Sequence, residues 1–376
     1  MMRASVLAVG LFAVMLPAAG CAEDDPTVTD LPDSGDGDRG GDGDGGGDGD
    51  DRDAGGDGDA ACTPLESDYV PGADDAWDAC ISDDGEYHRI EDSISSTARV
   101  MAFEQIAELL FDPTRDPSPT DFFTGRMIYQ TDEGLDSRVV RRYDPHYEVP
   151  DGTDCALQGV PAMHPDYCVG PAKLSPLIIG ALDDGYLGDE TPARAHAARA
   201  EAGLLWFLYV SHYKEATTCA TKAKDCDSAY AYYTGGAGAR GGIGLSRYVD
   251  EVDSYAHGRA WDGLLGLRCW RHLDDAETAA DPAMGERARA QYDRAVLDGI
   301  AAIVRDRLVR LGESTGDERA YYWAFLRTLG PLLDREGQAR SADAADALGA
   351  ELTVADPAQV DVAAAIDAID LLFDCP

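Results

Sequence analysis

Residues 191–219 read TPARAHAARAEAGLLWFLYVSHYKEATTC. Thr191 suits a helix N-cap and Pro192 the first helical position, so a helix is expected from Ala193 to Cys219. Its faces carry Leu204, Trp206, Phe207 and Val210 as well as Leu205 and Leu208. A helix that is apolar nearly all round belongs in the middle of a domain. At about 100° per residue, Glu201, His212 and Glu215 fall with Leu205 and Leu208 on one stripe roughly 40° wide. Two carboxylates and an imidazole on a buried stripe require charges, hydrogen bonds or a metal ion. Two readings follow. Either the stripe is a site, or Glu201 pairs with an arginine such as Arg199 or Arg247 and His212 is a satisfied core histidine.

Downstream, Asp227-Ser-Ala-Tyr-Ala-Tyr-Tyr-Thr-Gly-Gly236 reads as a short helix capped by Asp227 or Ser228, ending near Tyr233. Gly235 to Gly244 is a glycine-rich loop. Its Gly236-x-Gly238-x-x-Gly241 has dinucleotide-fingerprint spacing, but no strand precedes it, so it reads as a flexible turn. A second long helix is expected from Leu245 to Leu273, with Asp250, Asp253 and His257 at the edge of its apolar face. His212-x-x-Glu215 aims two ligand types to one side of a helix, as in carboxylate-bridged metal bundles, although those use Glu-x-x-His and need two such motifs. Glu201, His212, Glu215, Asp250, Asp253 and His257 are therefore the candidate metal ligands, an oxygen and nitrogen set suited to iron or manganese. There is no Gly-x-Ser-x-Gly and no His-Glu-x-x-His, so the balance is against an enzyme.

The remaining chain is mostly helical in pattern. Ser93 or Ser95 can cap a helix to about Phe111. Leu174–Leu182, Pro282–Leu311, Asp317–Leu333 and Ala358–Phe373 show helical spacing, and 334–356 has room for a short one. Residues 112–176 are dense in Pro, Gly and Asp and lack periodicity, with Arg138–Tyr143 reading as a piece of hairpin. The expected fold is all-α, a bundle-like domain over 62–376 with long irregular loops.

The N-terminus carries Arg3, an apolar run from Ala4 to Ala19, then Ala18-Ala19-Gly20-Cys21. This resembles the bacterial lipoprotein signal peptide, with Ala18 where that family prefers Leu. The resemblance implies cleavage after residue 20, lipid on Cys21, and a protein held to the outer membrane or cell envelope by acyl chains. Residues 22–61 are rich in Gly and Asp, with 15 acidic and 2 basic side chains, and are expected to form a disordered, self-repelling tether. The whole chain has a formal charge of −40, which argues against nucleic acid and against anionic lipid as electrostatic partners.

Beyond Cys21 there are eight cysteines: Cys62, Cys80, Cys155, Cys168, Cys219, Cys226, Cys269 and Cys375. An even number in an exported chain reads as a disulfide framework that staples the domain. Loop-closure economy favours Cys62–Cys80, Cys155–Cys168 and Cys219–Cys226, with Cys269–Cys375 tying the last helix back.

Lys214-Glu215, the 227–236 turn and a helix returning past Arg247 resemble the helical domain of the low-iron-inducible periplasmic protein family of algae. That resemblance covers about 60 residues. It implies extracytoplasmic iron acquisition by a non-enzymatic protein. The alternative is an envelope or surface interaction protein with no metal site.

Overall fold

The long apolar run folds as one helix, Ala193–Thr218. It begins where expected and ends one residue earlier. Pro192 occupies the cap position, and no side chain caps the end. The computed structural model describes residues 64–373 apart from 73–76, 93, 132–133, 238–239 and 273–280. Among the described residues there is no strand, and the fold is all-α. In chain order the helices are α1 (Ser95–Leu110), α2 (Pro119–Thr131), α3 (Leu135–Val139), α4 (Val160–Met163), α5 (Ser175–Leu187), α6 (Ala193–Thr218) and α7 (Lys224–Thr234). They continue as α8 (Leu245–Val252), α9 (Ser254–His272), α10 (Pro282–Glu313), α11 (Gly316–Leu329), α12 (Asp334–Arg340), α13 (Ala342–Leu352) and α14 (Val362–Leu372). A π turn, Gly170–Leu174, leads into α5.

Helix α6 lies at the centre, packed by α5, α7 and α11, with α1, α8 and α10 completing its surroundings. That is why its sequence is apolar on every face. Leu204, Phe207 and Leu208 are fully buried. Helices α9 and α10 cross so closely that a Cβ on Gly263 would stand 2.7 Å from the Tyr292 backbone nitrogen. Only glycine permits that approach. Local signals set several ends: Asp281, Ser341 and Asp361 each cap a following helix through the side chain. Gly235 closes α7 in the left-handed conformation, φ 70°.

Several expectations need correction. The single helix over Leu245–Leu273 is two helices broken at Asp253, whose carboxylate accepts from the Tyr255 and Ala256 amides at 3.0 and 2.9 Å and caps α9. Leu273 lies outside the described residues. The expected hairpin at Arg138–Tyr143 is instead the end of α3 and a turn, because the amides of Val140 and Arg142 find the carbonyls of Asp136 and Val139. The 112–176 segment contains α2 and is pinned to the core by side chains described below. The terminal helix starts at Val362, after a short 3₁₀ turn at Pro357–Gln359.

Cys155–Cys168 and Cys219–Cys226 pair as expected, but Cys80 bonds Cys269, not Cys62. The segment around Cys80 lies across α9 and α10. Trp261 Nε1 donates to the Gly85 carbonyl at 3.1 Å, Arg268 donates to the His88 carbonyl, and the Tyr69 amide donates to Gln291 at 2.6 Å. Docking brings the two sulfurs together. Cys62 and Cys375 lie outside the described residues, as do Cys21 and the acidic segment.

Candidate anion-binding site

The polar stripe of α6 comes first. Glu201 to Glu215 spans fourteen residues, which at 1.5 Å rise is about 21 Å along the axis. Groups on one line are therefore not groups in one place. Glu201 accepts hydrogen bonds from the hydroxyls of Tyr248, at 2.8 Å, and Tyr321. Burial pushes its carboxyl up, and the nearby Arg307 charge and the two tyrosines only partly offset this. The arginines first considered as its partners are engaged elsewhere, Arg199 with Asp184 and Arg247 with Glu104. His212 is fully buried, and neither ring nitrogen has a hydrogen-bond partner. It packs on Tyr292, ring centres 4.6 Å apart, and burial pushes its pKa down to about 3.

The second helix pair places its polar residues apart as well. Asp250 is exposed and Asp253 is a cap. His257 bonds the Tyr233 hydroxyl through Nδ1 at 3.0 Å, while Nε2 has no partner. Rings of His212 and His257 flank Tyr233 at 6.1 and 5.8 Å. Among the described residues, no set of three His, Cys, Asp or Glu ligand atoms close enough to share an ion includes any of the six candidates.

Glu215 leads somewhere else. It bonds Arg142 Nη1 at 2.6 Å and Lys214 Nζ at 3.1 Å. Burial works against its charge, but Arg142 and Lys214 outweigh that and hold the carboxyl below its usual range. Glu215 and Lys214 form part of the wall of a cleft of about 380 Å3 between the start of α1 and the start of α7. Arg138, Lys214, Lys222 and Lys224 line it, together with Glu91, Glu215, Asp225, Ser95, Ser96, Ser228, Tyr232 and Ile94.

Three features bring positive charge to the cleft, whose lining holds four cations and three carboxylates. Lys173, Lys214, Lys222 and Lys224 are the only lysines in the chain, and three of them line this one cleft. Behind them, Arg142 is only 4% exposed and lies over the Tyr232 ring at 4.8 Å, with Nε and Nη2 lacking hydrogen-bond partners. Arg99 is also buried, its Nη1 donating to Ser95 Oγ at 3.2 Å while Nε has no partner. Finally, α1 starts at the cleft with Ile94 at its cap and no acidic residue in its first turn, so its positive end is not neutralised. At α7 the Asp225 and Cys226 amides are already satisfied by the carbonyls of Lys222 and Ala223.

The Cys219–Cys226 bridge closes the loop that carries Lys222 and Lys224. Arg138 comes from α3 and Arg142 from the turn after it, which α6 holds through the Glu215–Arg142 pair. The arginines sat in the segment that looked irregular. The lysine crowding within 214–224 of a strongly acidic chain is the signal that could have found this site. The sequence matches no protein-family model, and comparison with curated proteins and with solved structures likewise finds no match.

Proposed function

We propose that the chain is a lipid-anchored, extracytoplasmic helical binding protein that captures a small anion in the cleft between α1 and α7. The carrying observation is that three of the four lysines, together with Arg138, line one cleft in a chain of charge −40. The overall negative field does not forbid this. Charges beyond about 8 Å are largely screened at physiological salt, so the nearest cations decide. An arriving oxyanion gains charge-assisted hydrogen bonds from the lysines and the α1 terminus.

Iron or manganese held directly by the α6 stripe has less support. Glu201 and Glu215 already have donors, and a cation there would have to displace them. Among the described residues, neither His212 nor His257, the two imidazoles with open nitrogens, falls in a group of three ligand atoms close enough to share an ion. Among the described residues no helix is long and apolar enough to cross a membrane; the lipid attachment is supported by the signal-like pattern ending at Cys21.

The test is calorimetric titration of the full chain with inorganic phosphate at low and physiological salt. Wild-type protein binds, and Lys222→Glu with Lys224→Glu weakens binding at least tenfold, with the affinity falling as salt rises. No heat from wild type, or equal binding by the variant, removes the anion site and leaves the envelope interaction protein as the standing reading.

A further inference from the structure

We infer that the anion is polyhydroxylated: one charged head, of the sugar-phosphate type, joined to a body bearing several hydroxyls. This rests on the reading of the cleft as an anion site. The cleft has a volume of about 380 Å3, the share of roughly a dozen waters, which leaves room beyond a bare inorganic ion. A ligand body must occupy that room.

The lining says what the body is made of. Small-molecule pockets are ordinarily lined mainly by apolar side chains. Here Ile94 is the one aliphatic residue among the lining groups. A hydrocarbon body would desolvate polar walls and return no hydrogen bonds, an expensive exchange. Two carboxylates, Glu91 and Asp225, also line a cleft whose cations call for an anion. They repel a second charged group but accept hydrogen bonds from hydroxyls. Asp225 already does this for Thr218, whose Oγ1 donates to Oδ2 at 2.6 Å. Ser96 and Ser228 add hydroxyls able to donate or accept. Glu215 is committed to Arg142 and Lys214 and contributes no such acceptor. A site with cations for one end of a ligand and acceptors for its hydroxyls discriminates strongly against an analogue lacking the hydroxyls, because its own polar groups are then left unmatched.

The experiment compares four probes by calorimetry on the full chain: glucose 6-phosphate, n-butyl phosphate, inorganic phosphate and glucose. Glucose 6-phosphate binds at least tenfold tighter than either other phosphate, and Glu91→Ala with Asp225→Asn narrows that gap to threefold or less. Equal affinities for glucose 6-phosphate and butyl phosphate overturn the hydroxyl inference while leaving the anion site intact. A preference unchanged by the double substitution also overturns it. Failure of all three phosphates, or glucose binding as tightly as its phosphate, removes the anion site itself.

Discussion

Two histidines show how little a residue's type says about its state. His212 is buried with neither ring nitrogen hydrogen-bonded, and burial pushes its pKa down to about 3 against the pull of the Asp293 charge; His146 lies between Asp144, 2.6 Å from Nδ1, and Asp293, 2.9 Å from Nε2. For His146, burial disfavours the charged ring, yet the two carboxylates outweigh it and raise the pKa to about 9. The consequences for stability have opposite sign. Unfolded histidine titrates near 6.5. His146 therefore contributes stability that is fully present below about pH 6.5 and is lost as pH rises through about 9, on the order of 3 kcal/mol. His212 stays neutral when folded, so the folded state loses ground as pH falls from about 6.5 towards 3. We expect His146→Gln to lower Tm at pH 5 and much less at pH 10, and His212→Phe to raise Tm at pH 5 by removing an unpartnered buried polar group. Melts across that range check both. A His146→Gln deficit equal at the two pH values, or a His212→Phe variant melting lower at pH 5, would sink these assignments.

At the scale of elements, α6 was legible because burial on all faces leaves a continuous apolar pattern that needs no partner to be recognised. The break at Asp253 was not legible. Helical spacing continues across it, and only the chain's turn shows that the carboxylate caps a new helix. The loop 219–226 is where an element meets function. Its disulfide restrains a short segment, worth about 2 kcal/mol in the chain-entropy model, and holds Lys222 and Lys224 beside Lys214. Replacing Cys219 and Cys226 together by Ser keeps every cleft charge but frees the loop. The expected result is a three- to tenfold loss of phosphate affinity with helical circular dichroism retained at 25 °C. Unchanged affinity in the bridge-free protein would show that the loop is positioned by packing alone.

For the molecule as a whole, the Cys80–Cys269 bridge joins residues 189 apart and ties the segment before α1 to the end of α9. In the chain-entropy model such a crosslink is worth on the order of 5 kcal/mol. Around it, Asp68 pairs with Arg294 at 2.9 Å, and His146 and Arg142 hold the middle of the chain onto α10 and α6. The proposed attachment to the membrane is a separate matter, resting on the N-terminal pattern that ends at Cys21. Cys21→Ser should abolish labelling by a radioactive fatty acid in a bacterial host and release the protein from the membrane fraction. Continued labelling, or retention in that fraction, would refute lipid anchorage.

The sequence by itself determined what depends on near neighbours: the helical class, the central buried helix and the two short-range disulfides. These follow from side-chain periodicity, caps and short loops, which act over a few residues. Tertiary structure alone decided the third disulfide, because a tenfold longer loop costs only about 2 kcal/mol more to close and docking contacts outweigh that. It also decided the fate of the polar stripe. A stripe on a helix specifies a direction, not a position, and Glu201 and Glu215 were drawn to tyrosines at one end and an arginine at the other. The cleft required both levels: lysines crowded in one stretch of sequence, and arginines from another stretch that only the folded chain sets behind them.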